Sequence, residues 1–109
     1  MSEAMSDERV KPADCRTMEE VRHGVDRLDE AIVALVAERF RYMDAAARIK
    51  PERGHVRDEA RKAQVIGNVV RIAAAEGAPA PALAEVYERL VEASIAYELD
   101  RFDAARAPR

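Results

Sequence analysis

Two basic side chains stand where a helix would be expected to carry apolar ones. Arg39 interrupts an apolar run, after Leu35 and Val36 and before Met43, and a guanidinium on an inward stripe is costly unless an anion meets it. Lys50 follows eleven residues later. Eleven helical residues turn through about 1100°, within roughly 20° of three full turns, so the two cations leave nearly the same face and could grip one anionic ligand. Arg61, one turn before Val65 and two before Val69, is a third candidate cation. Ser94 and Glu98, four apart between Leu90 and Phe102, are polar choices at inward positions. Arg22 lies about 100° round the helix from Arg39. It does not join the same pocket in one chain, but in a dimer of long helices it can complete the pocket of the other. The chemistry implied is capture of an anionic small molecule by Arg and Lys, with a hydroxyl and a carboxyl alongside. Each residue alone is equally well explained as part of a solvated face, and Arg39 as a dimer-interface ion pair; their coincidence carries the argument.

These side chains require helices to position them. Thr17 and Glu20 have the spacing of a capping box, which starts a helix. From there Val21, Val25, Leu28, Ile32, Leu35, Val36, Met43, Ala46 and Ile49 recur at threes and fours until Pro51 forbids the next turn. A helix of roughly 33 residues is about 50 Å long, whereas a compact domain of this size has a radius of gyration of about 13 Å. One chain cannot cover it, which predicts a homodimer. A second helix is predicted from Val56 to Glu76, closed by Gly77, and a third from Pro81 to Ala105. Residues 1–16 read as a flexible arm and 17–105 as a single all-α domain of one long and two shorter helices.

Composition agrees and narrows the function. The chain has 109 residues, room for one domain. It is 49% hydrophobic but only 5% aromatic, and its apolar part is chiefly Ala, Val, Leu and Ile, the vocabulary of helices. Eighteen basic and 21 acidic residues are spread along its length, so no basic block marks a nucleic-acid partner. Cys15 is the single cysteine and reads as an unpaired thiol. His23 and His55 have neither metal-ligand spacing nor a nucleophilic partner, so no metal is expected, and no Gly-rich phosphate loop occurs. No apolar run is long enough for a membrane span, and Met1 to Lys11 lacks a signal-peptide core, which makes the cytoplasm the expected compartment.

Val21-Arg22, Asp26-Arg27-Leu28-Asp29, Ala37-Glu38-Arg39 and Ala45-Ala46-Ala47-Arg48-Ile49-Lys50, followed by Val56-Arg57-Asp58 with Arg61 and by Ser94 with Glu98, resemble the AroQ class of chorismate mutases and the related isochorismate-pyruvate lyases. The resemblance runs from about Lys11 to Phe102. It implies an intertwined three-helix homodimer in which each pocket takes Arg22 from the partner chain and Arg39, Lys50, Asp58, Arg61, Ser94 and Glu98 from its own. It also implies a substrate with two carboxylates and an enolpyruvyl ether, and a reaction without metal, cofactor or covalent intermediate. Arg22 and Arg39 would hold carboxylates as forks, and Lys50 would donate to the ether oxygen as its bond breaks.

Glu98 departs from a common family pattern, which has Gln there, and a carboxyl donates only when protonated. Lys62 stands where the best-known mutases place a Glu that accepts from the substrate hydroxyl. Lys11-Pro12-Ala13-Asp14-Cys15 and Arg41-Tyr42-Met43-Asp44-Ala45-Ala46 look more like the lyases, while Ser94 matches the mutases. The expected activity is rearrangement of chorismate to prephenate. The alternatives are release of salicylate and pyruvate from isochorismate, and a non-enzymatic helical dimerisation or metabolite-binding module. The loop Pro51 to Val56, with Gly54, is a candidate for ordering around a ligand.

Overall fold

The computed structural model describes residues 8–108, and among them there are helices and no strand. A 3₁₀ turn, Pro12–Asp14, precedes the long helix α1, Met18–Ile49; a second 3₁₀ turn, Arg53–His55, leads to α2, Glu59–Ala75, and then to α3, Ala80–Arg106. All-α architecture with one long and two shorter helices is therefore what the chain adopts. It divides into a first unit ending at Arg39 and a second beginning at Phe40, with α1 continuous through the division.

In the first unit the capping box forms as its spacing predicts. The Glu20 N–H donates to Thr17 Oγ1 at 3.1 Å, and the Thr17 N–H donates back to Glu20 Oε1 at 3.2 Å. The Arg16 N–H joins the same carboxylate at 2.7 Å. The Pro12–Asp14 turn lies within the segment expected to be a loose arm. Proline supplies the fixed φ that opens a helical turn, and the Asp14 N–H closes it on the Lys11 carbonyl at 2.9 Å. The turn buries no residue. Along α1 the apolar stripe is left uncovered: Val21, Val25, Leu28, Ile32 and Leu35 are exposed, Ile32 at 55% and Leu35 at 66%.

The second unit holds the core. Ala47, Val56, Val91, Ile95 and Phe102 are buried together, with Val65 and Leu99 packed against them. The last turns of α1 bury Ala47, whereas Ile49, placed on the stripe by its spacing, is 72% exposed. The second helix starts three residues later than expected. Val56 ends the 3₁₀ turn as a core residue instead of opening the helix, and Asp58 is the N-cap, its carboxylate accepting from the Arg61 N–H at 3.0 Å. At the other end Gly77 has φ 73°, the Gly77 N–H donates to Ala74 O and the Ala78 N–H to Ala73 O. This is a Schellman cap, whose left-handed residue favours glycine.

Helix α2 packs along α3, and a chain of charges laces them. Arg57 donates to both oxygens of Glu92 at 2.7 and 3.1 Å, and Lys62 donates to Glu92 at 2.6 Å and to Glu88 at 2.7 Å. Hydrogen bonds from Arg57 and then Lys62 pull the Glu92 carboxyl down to about 2 from the usual 4.5, and the bonds to Glu88 and Glu92 raise Lys62.

Candidate active site

The inward face of α3 carries the polar residues that its periodicity predicts. Val91, Ser94, Ile95, Glu98 and Phe102 are the buried positions of that helix, so Ser94 and Glu98 interrupt an otherwise apolar surface. Glu98 is 3% exposed. A carboxylate at that depth needs a cation, and Lys50 supplies it: Nζ lies 2.8 Å from Glu98 Oε2. The ammonium is close enough for an ion pair but badly directed for a hydrogen bond, so Oε2 has charge compensation without a well-aligned donor. Lys50 follows the last residue of α1, where its N–H still donates to Ala46 O at 2.9 Å. One turn before Glu98, the Ser94 hydroxyl donates to Leu90 O of its own helix at 2.7 Å.

The other predicted residues fall in different settings. Asp58 and Arg61 stand together at the start of α2, joined by the capping hydrogen bond, and the Arg61 guanidinium is exposed and donates to Gln64 Oε1 at 2.7 Å. Arg39 is half-buried on α1, and Arg22 is exposed near its beginning; both belong to the first unit. Lys62 is turned onto Glu88 and Glu92 and is engaged in lacing α2 to α3. His23 is exposed with Nε2 3.2 Å from Glu8 O, and His55 is exposed beside Glu52. Among the described residues no group of three His, Cys, Asp or Glu side chains could hold a metal ion.

Sequence reasoning missed two features of this region. Tyr97 donates its hydroxyl to Asp44 at 2.7 Å and meets Phe40 edge-on with ring centroids 5.0 Å apart. The hydrogen bond to Asp44, helped by burial, raises the Tyr97 phenol above its ordinary value. Arg106 lies over the Phe102 ring at 3.6 Å and donates to Ala47 O at 3.1 Å and to Lys50 O at 2.8 Å. The only local signal was a basic residue in the last turn of a helix, four after an aromatic. The carbonyls it reaches lie more than fifty residues earlier in the chain.

An ion pair buried among apolar side chains can belong to structure as well as to chemistry, so comparison with known proteins decides the family. Residues 21–99 match the family model for chorismate mutase type II. The chain belongs to that family. The match spans Arg22, Arg39, Lys50, Asp58, Arg61, Ser94 and Glu98, beginning one residue before the first and ending one after the last. The chain is also similar to a protein of Pseudomonas aeruginosa named isochorismate pyruvate lyase, 27% identical over 88 residues that cover 81% of this chain and 87% of that protein. Both members of the Lys50–Glu98 pair lie within the matched residues. No helix among the described residues is long and apolar enough to cross a membrane.

Proposed function

We propose that this chain is a chorismate mutase, rearranging chorismate to prephenate in a pocket centred on Lys50 and Glu98. The observation that carries the reading is the ion pair itself: an ammonium and a carboxyl held 2.8 Å apart on an otherwise apolar face, within a chain of the chorismate mutase type II family. In a concerted rearrangement charge builds on the ether oxygen as its bond to carbon breaks, and a pre-positioned ammonium in a dry site stabilises that charge more than the ground state. Lys50 is that donor, and Glu98, when protonated, donates from the other side. Arg39, eleven residues earlier on the same helix, and Arg22, supplied across a homodimer, hold the two carboxylates and so enforce the folded conformer that reacts. Asp58, Arg61 and Ser94 complete the lining. The exposed stripe of α1 supports the dimer, since a stable single chain rarely leaves so continuous an apolar face in water. The reaction needs no cofactor, and the lone Cys15 suits a reducing cytoplasm.

A second reading is favoured by one specific observation, the likeness to isochorismate pyruvate lyase. The same cations would then release salicylate and pyruvate from isochorismate. The module without catalysis is favoured by none.

A paired assay of the purified protein separates these readings. Prephenate formation from chorismate without appreciable pyruvate release from isochorismate is expected, with Arg39→Ala losing orders of magnitude in kcat/KM while remaining folded. Efficient salicylate formation would move the chain to the lyase reading. Silence on both substrates would overturn the enzymatic proposal.

A further inference from the structure

Lys50 stands at a vulnerable place for a residue that must aim one atom. It follows the end of α1, where the final carbonyls have no partner further along the helix, and Pro51, Glu52 and Gly54 come next. Such an end frays unless something outside the helix engages it.

Arg106 engages it. Its guanidinium donates to Ala47 O at 3.1 Å and to Lys50 O at 2.8 Å, and a third bond to Phe102 O at 3.3 Å, in its own helix, fixes where the fork starts. Below it lies the ring of Phe102, 3.6 Å from Cζ, and Phe102 is buried in the core. Eight residues, just over two turns, separate Arg106 from Glu98 on the same helix. Lys50 is therefore tied to α3 twice, by its carbonyl to Arg106 and by its ammonium to Glu98. A cation at a helix C-terminus is also favoured by the partial negative charge of the unpaired carbonyls. The next loop is latched separately, by Arg53 donating to both oxygens of Asp103 at 2.9 and 3.2 Å, but that pair is exposed and its bonds join the two residues to each other rather than to Lys50.

We infer that Arg106 is a positioning residue of the site: it holds the end of α1 so that Lys50 Nζ stays on target. The inference rests on the functional reading above, and its test has one arm that does not. In steady-state kinetics, Arg106→Ala is expected to lower kcat about tenfold to a hundredfold, the scale on which small misplacements of a catalytic group act, while KM moves less than about threefold. Arg106→Lys, which can reach one carbonyl, is expected to recover part of the loss. Asp103→Ala, which frees only the loop latch, is expected to leave kcat within about twofold of wild type. Equal losses in Arg106→Ala and Asp103→Ala, or an unchanged kcat in Arg106→Ala, would overturn the inference. The independent arm follows the Nζ resonance of Lys50 by NMR in ¹⁵N-lysine protein, assigned by its absence from Lys50→Met. It should shift or broaden in Arg106→Ala and stay in place in Asp103→Ala. A resonance unmoved in Arg106→Ala overturns the positioning role even if the protein turns over neither chorismate nor isochorismate, a result that would by itself overturn only the functional reading.

Discussion

At the scale of single residues, the proposed chemistry turns on what Glu98 presents to a ligand. Paired with Lys50 it is a carboxylate acceptor, while an ether oxygen acquiring negative charge needs donors. Glutamine at this position donates at every pH. Glu98→Gln is therefore expected to keep kcat/KM within about tenfold of wild type while Glu98→Ala loses more, both read in the chorismate assay; equal losses in the two would remove Glu98 from the chemistry. The inward orientation of Ser94 and Glu98 was legible in the sequence because a helix period decides facing, and both sit in step with Leu90, Val91 and Phe102. The ion pair with Lys50 was less so, since periodicity says which way a side chain faces and not what it meets across 48 residues of chain. Arg106 was invisible for the same reason: its partners are backbone carbonyls, and every residue has one.

Among the elements, each boundary is set by a few hydrogen bonds, and their value can be measured. Asp58 caps α2 through the Arg61 N–H, and it is also a proposed pocket residue. Asn caps about as well as Asp, whereas Ala costs about 1 kcal/mol. Thermal unfolding is expected to show a lower Tm for Asp58→Ala and almost none of that loss for Asp58→Asn; if Asn retains stability yet raises KM, the carboxylate serves both purposes. The long helix was legible to within a residue or so, because a capping box and a proline bracket it. The start of α2 was not. Val56 fits the apolar rhythm of that helix, but tertiary packing draws it into the core from the end of a 3₁₀ turn, and Asp58 then opens the helix. The loop expected to order around a ligand is already held by that turn, by Val56 and by Arg53 on Asp103.

At the scale of the molecule, two features bear on stability and on the proposed dimer. The Glu92 carboxyl is held at about 2, chiefly by the hydrogen bond from Arg57 and then by Lys62. Because the folded value is below the unfolded one, this contribution is fully present above the usual 4.5 and drains away as pH falls toward 2. Circular-dichroism melts should therefore show Glu92→Gln less stable than wild type near neutrality, with the gap closing under acid; a gap independent of pH would mean the pairing contributes nothing. The uncovered stripe of α1 bears on assembly. Ile32, 55% exposed near its middle, is expected to sit against a second copy, so that Ile32→Glu yields monomers by sedimentation and loses activity with the site supplied across the dimer. A variant that stays dimeric and active would disprove that placement.

That stripe also has a bearing on the birth of the protein. Helix α1 precedes α2 and α3 in the chain, so during synthesis it leaves the ribosome before most of the residues that form the core have been made. Its Val, Leu and Ile face is then out in water with nothing of its own kind to cover it. On the proposed dimer, a newly made chain awaiting a mate would be, for that interval, a sticky amphipathic rod and a natural client for chaperones. The yield of folded protein would then depend on how quickly a second chain arrives as well as on how stable the proposed assembly is.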